Sequence, residues 1–327
     1  MRVTKHSATR KLTFDPRLNG ISRSIGAVVF GTNNGGVTIT AQTTSNTLTL
    51  NSSAAAIQML AGSGNSTIAT TLVSGTTQTW RNSSSNLLTI SGSVSTAYQI
   101  VLDGQLAGNS FLFSGPISGA GRFTTVNGGI FRLTGNNTYD GPTTVNAGRF
   151  VVNGTHSIAA GGTYAIKSGA TISGTGNIGR TVSVEDGGIL APGDVVSGTN
   201  QAGLLTISNT LSLSSSSSVI FDLAGNTSVV DDENSILGDL VLDGVLTVNQ
   251  LAGFGVGNNY LLFSYSGSLT NNGLLVSPLG GEYTGSIDTT TSGFVYLNVI
   301  PEPNVAVLAF VGLAGVFFWR NKKAQLR

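Results

Sequence analysis

Gly128-Gly129-Ile130-Phe131-Arg132-Leu133-Thr134-Gly135 is followed, nineteen residues on, by Ala147-Gly148-Arg149-Phe150-Val151-Val152-Asn153-Gly154. Phe131 falls on Phe150, Leu133 on Val152, and the closing glycines Gly135 and Gly154 coincide. Within each octet the two aligned apolar residues are two positions apart, so a strand built from it turns both to the same side. The turn glycine returns at Gly169 and again at Gly188, with nearly the same spacing. A period near twenty residues of strand and turn predicts a solenoid. No coil can bury its Phe, Leu or Val alone, and stacking on the next coil supplies the core. Gly-Asn and Asn-Gly pairs stand where corners are expected, because Gly takes positive φ freely and Asn tolerates it.

The same alternation spreads outward from this repeat. Val37-Thr38-Ile39-Thr40, Leu48-Thr49-Leu50-Asn51, Leu88-Thr89-Ile90-Ser91 and Phe111-Leu112-Phe113-Ser114 each set apolar residues against hydroxyls with period two, the pattern of half-buried strands. Arg10-Lys11-Leu12-Thr13-Phe14 reads as the first strand, and Ala54 to Leu60 is ambiguous between strand and helix. Residues 1–24 form a basic N-terminal segment and 25–200 the solenoid. Over 201–300 the strands become longer and more apolar, as in Val219 to Leu223, Leu240 to Val248 and Tyr260 to Tyr265. That region reads either as a β-rich cap on the last open edge or as a separate small β-sandwich.

Composition narrows the class. Of 327 residues 9% are charged, 40% are hydrophobic and 45 are glycine, which fits stacked strands better than a disordered chain. The absence of cysteine excludes disulfides, thiolate metal sites and cysteine nucleophiles. The net charge of +1 conceals a basic start and a basic end around a middle, Ser24 to Trp319, of six basic and fourteen acidic residues. Such a middle is a poor partner for phosphate backbones, so nucleic acid is not expected as a ligand.

The stretch from Pro301 to Arg327 stands apart. Pro301-Glu302-Pro303 precedes an uncharged run from Val305 to Trp319, and Arg320, Lys322, Lys323 and Arg327 follow it. Nine of the fifteen run residues are Val, Leu or Phe, worth roughly 3 to 5 kcal/mol in favour of the bilayer. As a helix the run would reach about 22 Å, so spanning needs a thinned bilayer or help from Asn304 and the Arg320 stem at its edges. Its all-round apolarity and basic flank predict a membrane helix over 305–319 rather than a core helix, with the basic end cytoplasmic. Trp319 belongs at the interface. No apolar stretch long enough for a signal peptide follows Met1, so either an upstream segment precedes it, the expectation that the early strand favours, or the chain is not exported as it stands.

Pro301, Glu302 and Pro303, the apolar run and the stop-transfer residues Arg320, Lys322, Lys323 and Arg327 together resemble the PEP-CTERM sorting signal of Gram-negative bacteria. That resemblance implies recognition by an exosortase, cleavage near the Pro-Glu-Pro, and a precursor held in the inner membrane before release to the cell surface or matrix. Residues 128 to 154 resemble the autotransporter-associated β-strand repeat, through Gly129, Phe131, Leu133, Gly135, Asn137, Tyr139, Gly141, Gly148, Phe150, Val152 and Gly154. Pro142 stands where that family commonly has a second glycine, tolerable at a corner but not within a ladder. The resemblance implies a right-handed parallel β-helix in a passenger-type secreted protein. The expected fold is therefore all-β: a right-handed parallel β-helix, a C-terminal β-rich cap and one C-terminal membrane helix. The stretch after residue 200 is too short for a translocation barrel.

Catalytic chemistry has little to work with. His6 and His156 read as solvated loop residues, and Asp103, Asp140, Glu185, Asp186 and Asp194 stand beside glycines, where turn chemistry accounts for most of them. Asp231-Asp232-Glu233-Asn234, with Asp222, Asp239 and Asp243 near in sequence, offers oxygen ligands but no calcium-loop spacing, and reads as a solvated acidic loop. Trp80 is expected to cap a coil, and Gly119-Ala120-Gly121 to be a corner. No catalytic residue, metal or cofactor is assigned. The expected function is a non-enzymatic exported surface or extracellular-matrix protein for adhesion or exopolysaccharide-matrix structure, with exopolysaccharide as a partner. The alternative is a β-helix polysaccharide lyase or hydrolase, marked by a groove with two or more carboxylates, or an Asp with an Arg or Lys.

Overall fold

The computed structural model describes residues 2–3, 10–13, 23–32, 35–40, 46–106, 108–157, 161–196, 199–225, 231–256, 259–280 and 283–302. Every regular element among them is a strand. Three strands make a coil, and each coil hydrogen-bonds in parallel to the next. The first face is a twelve-stranded sheet from Arg2–Val3 to Leu269–Asn271, and the second a twelve-stranded sheet from Arg10–Thr13 to Leu275–Val276. The third face is split into a five-stranded sheet ending at Ile117–Ser118 and an eight-stranded sheet starting at Asn136–Asn137. This is a parallel β-solenoid with its core inside the three faces.

Stacking turns alternation into columns. On the second face Ile39, Ile68, Ile90, Phe113, Leu133 and Val152 sit one above another, all buried. The repeat pairs Phe131 with Phe150 and Leu133 with Val152 in the ladder. The spacing of Gly169 and Gly188 does not carry over. Ile172 lies under Phe150 and Leu190 under Ile172, so the offset between strands first widens and then narrows. Following the glycines would bring Thr171 under Phe150 and turn Ile172 outward, since a one-residue slip exchanges the faces. Burial of Ile172 selects the register, and the corners absorb the difference.

The core is aromatic through its middle. Trp80 stacks on Phe113 at 5.9 Å, Phe111 on Phe113 at 6.2 Å and on Phe131 at 5.9 Å. Trp80 is thus not the cap of a coil; it is fully buried, with its Nε1 donating to Gln78 Oε1 at 3.1 Å. The ambiguous patch resolves as the strand Ala55–Met59, and Arg2–Val3 precedes the strand expected to be first. The break in the third face is bridged by a side chain: Ile117 N donates to Asn137 Oδ1 at 3.1 Å, and Thr138 N to Ile117 O at 2.7 Å.

The ladders run through residue 200 unbroken, with Leu190 on Val219 and Val184 on Leu213. Coils lengthen here, Leu211 following Val182 and Leu240 following Leu211 as ladder partners. An antiparallel hairpin, Asp194–Val196 with Thr199–Gln201, stands out from one of them. The third face then reverses. Phe294–Pro301 pairs antiparallel with both Asn259–Tyr265 and Tyr283–Asp288, and Val295 and Leu297 are buried there. No helix among the described residues is long and apolar enough to cross a membrane. The expected helix over 305–319 lies outside the described residues.

Candidate functional site

The repeat residues divide by role. Phe131, Leu133, Phe150 and Val152 point inward, while Gly135 and Gly154 belong to a corner column with Gly92, Gly115 and Gly176. A Cβ on any of the five would lie 2.0 to 2.4 Å from a carbonyl oxygen of the preceding coil. That backbone is pinned by its own ladder and cannot retreat. Gly154→Ala, whose Cβ would sit 2.2 Å from Gly135 O, is expected to cost about 1–3 kcal/mol, read as a lower denaturant midpoint at unchanged slope. Gly129 and Gly148 hold positive φ, and Gly141 packs on the Gly121 carbonyl. Pro142 precedes the strand Thr143–Val145 and offers its carbonyl to Phe123 N at 3.1 Å.

Asn137 and Tyr139 lead to a site the sequence did not disclose. His156 is no solvated loop residue: it pairs with Asn137 in the third face and is fully buried. Its Nε2 lies 2.9 Å from the Tyr139 carbonyl, which can only accept, so Nε2 carries the proton and Nδ1 accepts from Tyr164 Oη at 2.7 Å. Tyr164 Oη must then accept from Tyr139 Oη at 3.1 Å, and Tyr139 Oη from Thr143 Oγ1 at 2.7 Å. One proton order satisfies the whole chain. Burial lowers the His156 pKa to about 4 and raises both tyrosines, so imidazole and phenols stay neutral. Arg180, 2% exposed, donates from Nη1 to Asp140 O at 2.8 Å and from Nη2 to Tyr139 O. Gly162 leaves the room it needs, since a Cβ there would meet Arg180 Nη1 at 1.9 Å. The network is sealed from solvent and holds a corner rather than a substrate.

The second cluster lies at the base of the hairpin. Asp194 accepts from Arg132 Nη2 at 2.6 Å and Nε at 3.1 Å, and from Asn153 Nδ2 at 2.7 Å. Asp222 Oδ1 accepts from Asn249 Nδ2 at 2.6 Å. Asp232 is no member of a solvated loop: it is 1% exposed and accepts from Gly203 N and Asp222 N, each at 2.7 Å. Burial first, then the neighbouring Asp222 and Asp231 charges, push its pKa up to about 7. Arg149, Ala191, Pro192, Asp194, Ile220, Asp222 and Asp232 line a cleft of about 20 Å³, room for a single water and far below what a sugar ring needs.

The remaining carboxylates are dispersed. Asp103 is buried under Arg81, Gln105 and Asn127, all within 2.8 Å. Burial by itself would raise its pKa, but the hydrogen bonds from Asn127, Gln105 and Arg81 outweigh it and hold the carboxyl below the usual carboxylate range. Glu185 meets Lys167 at 2.5 Å, while Asp186, Asp239 and Asp243 accept backbone N–H groups at turns. Among the described residues no group of three or more His, Cys, Asp or Glu could hold a metal ion. Pro301 ends the last strand opposite Tyr283, and Glu302 is exposed. His6, Pro303, Arg320, Lys322, Lys323 and Arg327 lie outside the described residues.

No family model matches the chain. Over 171 residues, 51% of its length, it is 36% identical to the adhesin BmaC autotransporter of Brucella suis biovar 1 (strain 1330). The chain spans about one-twentieth of that protein. Half of the chain is thus similar to a small part of an autotransporter adhesin.

Proposed function

We propose that the chain is a non-enzymatic exported surface or extracellular-matrix protein, a right-handed β-solenoid that works in adhesion or matrix structure. The observation that carries this reading is the 36% identity to an autotransporter adhesin, on a chain whose coils offer long polar faces and whose cleft at the hairpin base has room only for a water. Right-handed winding follows the general rule for parallel crossovers. Export proceeds through the C-terminal signal: Pro301, Glu302 and Pro303 meet an exosortase-type enzyme, while residues 305–319 anchor the precursor in the inner membrane and Arg320, Lys322, Lys323 and Arg327 hold the cytoplasmic side. Exopolysaccharide is the proposed matrix partner.

Cells carrying a C-terminal tag test the sorting step. The surface fraction is expected to contain a product that has lost the tag and is lighter than the precursor by the segment from the Pro-Glu-Pro to Arg327. A tagged, full-length protein in the cytosol would sink the proposal. A second reading, a polysaccharide lyase or hydrolase, draws on the Asp194, Asp222, Asp232 and Arg149 cleft. Release of reducing ends from polysaccharide by the purified chain, abolished in Asp194→Asn, would establish that reading instead.

A further inference from the structure

Charge is sorted along the solenoid. Residues 1–180 hold twelve Lys and Arg against three acids, while residues 181–319 hold twelve Asp and Glu and no Lys or Arg. Because the coils stack in chain order, a gradient along the sequence becomes a gradient along the axis. On the first face it becomes a pattern of side chains. Thr79, Val101, Thr124, Thr144, Ala165, Ser183, Ser212, Val241 and Thr270 are successive ladder partners down the middle of this sheet. They alternate with the buried core positions, so they point outward, partly exposed along the row and exposed at Thr270.

The flanks of this face carry the charge. Arg122 is exposed at the start of its strand and makes no ion pair among the described residues. Arg81, at the far edge, keeps 45% of its side chain exposed despite its contact with Asp103. In the later coils the equivalent edges hold Asp239, exposed before Leu240, and Asp243, half-buried after Leu242. A face that is basic at one end and acidic at the other complements itself when one copy is reversed.

We propose that the first face is an interface between two copies of this chain packed antiparallel, related by a two-fold axis along the strand direction near Ala165. Nine strands at a spacing of about 4.8 Å make a contact of roughly 38 Å. Reversal about Ala165 lays Thr79 opposite Thr270 of the second copy. Along the axis it leaves Arg122 and Arg81 offset by about one strand spacing (~4.8 Å) from the second copy's Asp239 and Asp243, across a gap of about 10 Å between the sheets that long side chains can bridge. A parallel pair would instead bring the basic coils of both copies to one end of the contact and the acidic coils of both to the other. A strip this long and about three residues wide removes roughly 800–1,000 Å² in total, at the lower limit for a specific interface. The association is therefore weak, and salt weakens it further.

The absence of cysteine makes a disulfide test clean. The full chain is kept in non-ionic detergent so that residues 305–319 contribute no association, and single variants are oxidised mildly. Ala165→Cys, at the two-fold, is expected to cross-link into a dimer. Thr79→Cys alone is not, whereas mixed Thr79→Cys and Thr270→Cys chains are. Cross-linking of Ala165→Cys should slow roughly tenfold at 1 M salt, where the screening length is about 3 Å. Added to Ala165→Cys, Arg122→Glu should slow the reaction and Arg122→Glu with Asp239→Arg should restore it. Failure of Ala165→Cys to cross-link, equal self-cross-linking of Thr79→Cys, or a double swap no faster than Arg122→Glu would each overturn the proposal.

Discussion

Phe131→Ala is expected to destabilise the solenoid by about 3–5 kcal/mol, a large share of the roughly 5–15 kcal/mol available to a folded domain. Phe131 is fully buried, stacked on Phe111 at 5.9 Å and paired with Phe150 in the ladder below. Glycines make space for its ring: a Cβ on Gly104 or Gly148 would lie 3.1 and 3.2 Å from ring carbons of Phe131. The coils above and below are fixed by backbone hydrogen bonds, so the void cannot close, which places the loss high in the range for Phe→Ala. Because each coil touches only its neighbours, the damage should also be local. Hydrogen exchange should lose protection around Asn109–Phe113 and Arg149–Val152 before Leu240–Leu242. Ser183→Ala, on the outer side of the first face, should stay within about 0.5 kcal/mol. A Phe131→Ala loss no larger than that of Ser183→Ala would mean that stacked coils do not carry the stability.

The same pair of strands shows what the sequence discloses and what it hides. Residues 128–154 were legible because two successive coils have equal corners, so one offset aligns every inward residue. Where corner lengths change, as between Phe150, Ile172 and Leu190, glycine spacing misleads by one residue and only burial fixes the register. Trp80 escaped because its inward neighbours, Gln78 and Asn82, are polar and mask the alternation. Arg149–Val152, Thr171–Gly174 and Ile189–Pro192 each bury three residues in succession. Outward Val151, Ser173 and Ala191 are covered in the folded chain, which strand periodicity cannot announce. His156 was within reach: the nineteen-residue offset that aligns Phe131 with Phe150 also sets His156 on Asn137. Asp232 left no local signal, since its partners are Gly203, just before the strand Leu204–Ile207, and Asp222, within the strand Ser218–Leu223, one of them 29 residues away.

Those last two residues predict an unusual dependence of stability on pH. His156 has a pKa of about 4 in the folded chain against 6.5 when solvated, because burial excludes the imidazolium. Its contribution is complete above pH 6.5 and is lost as pH falls towards 4, a total of about 3 kcal/mol. Asp232 runs the other way. Burial raises it from 3.8 to about 7, so the folded state holds a proton that the unfolded chain releases. Its contribution is complete below pH 3.8 and is lost as pH rises to 7, a total of about 4 kcal/mol. Between about pH 4 and 6.5 each group exchanges one proton with opposite sign, so their slopes cancel and together they leave the native protein nearly flat. Single substitutions should expose what is concealed. His156→Gln is expected to lose stability as pH rises through that window, and Asp232→Asn to gain it, each by about 1.4 kcal/mol per pH unit. Urea midpoints measured across pH 4 to 7 read both slopes, and the constant cost of each substitution shifts the curves without changing their direction. Two flat profiles, or two of the same sign, would mean that neither side chain is shielded from water as the stacked coils require.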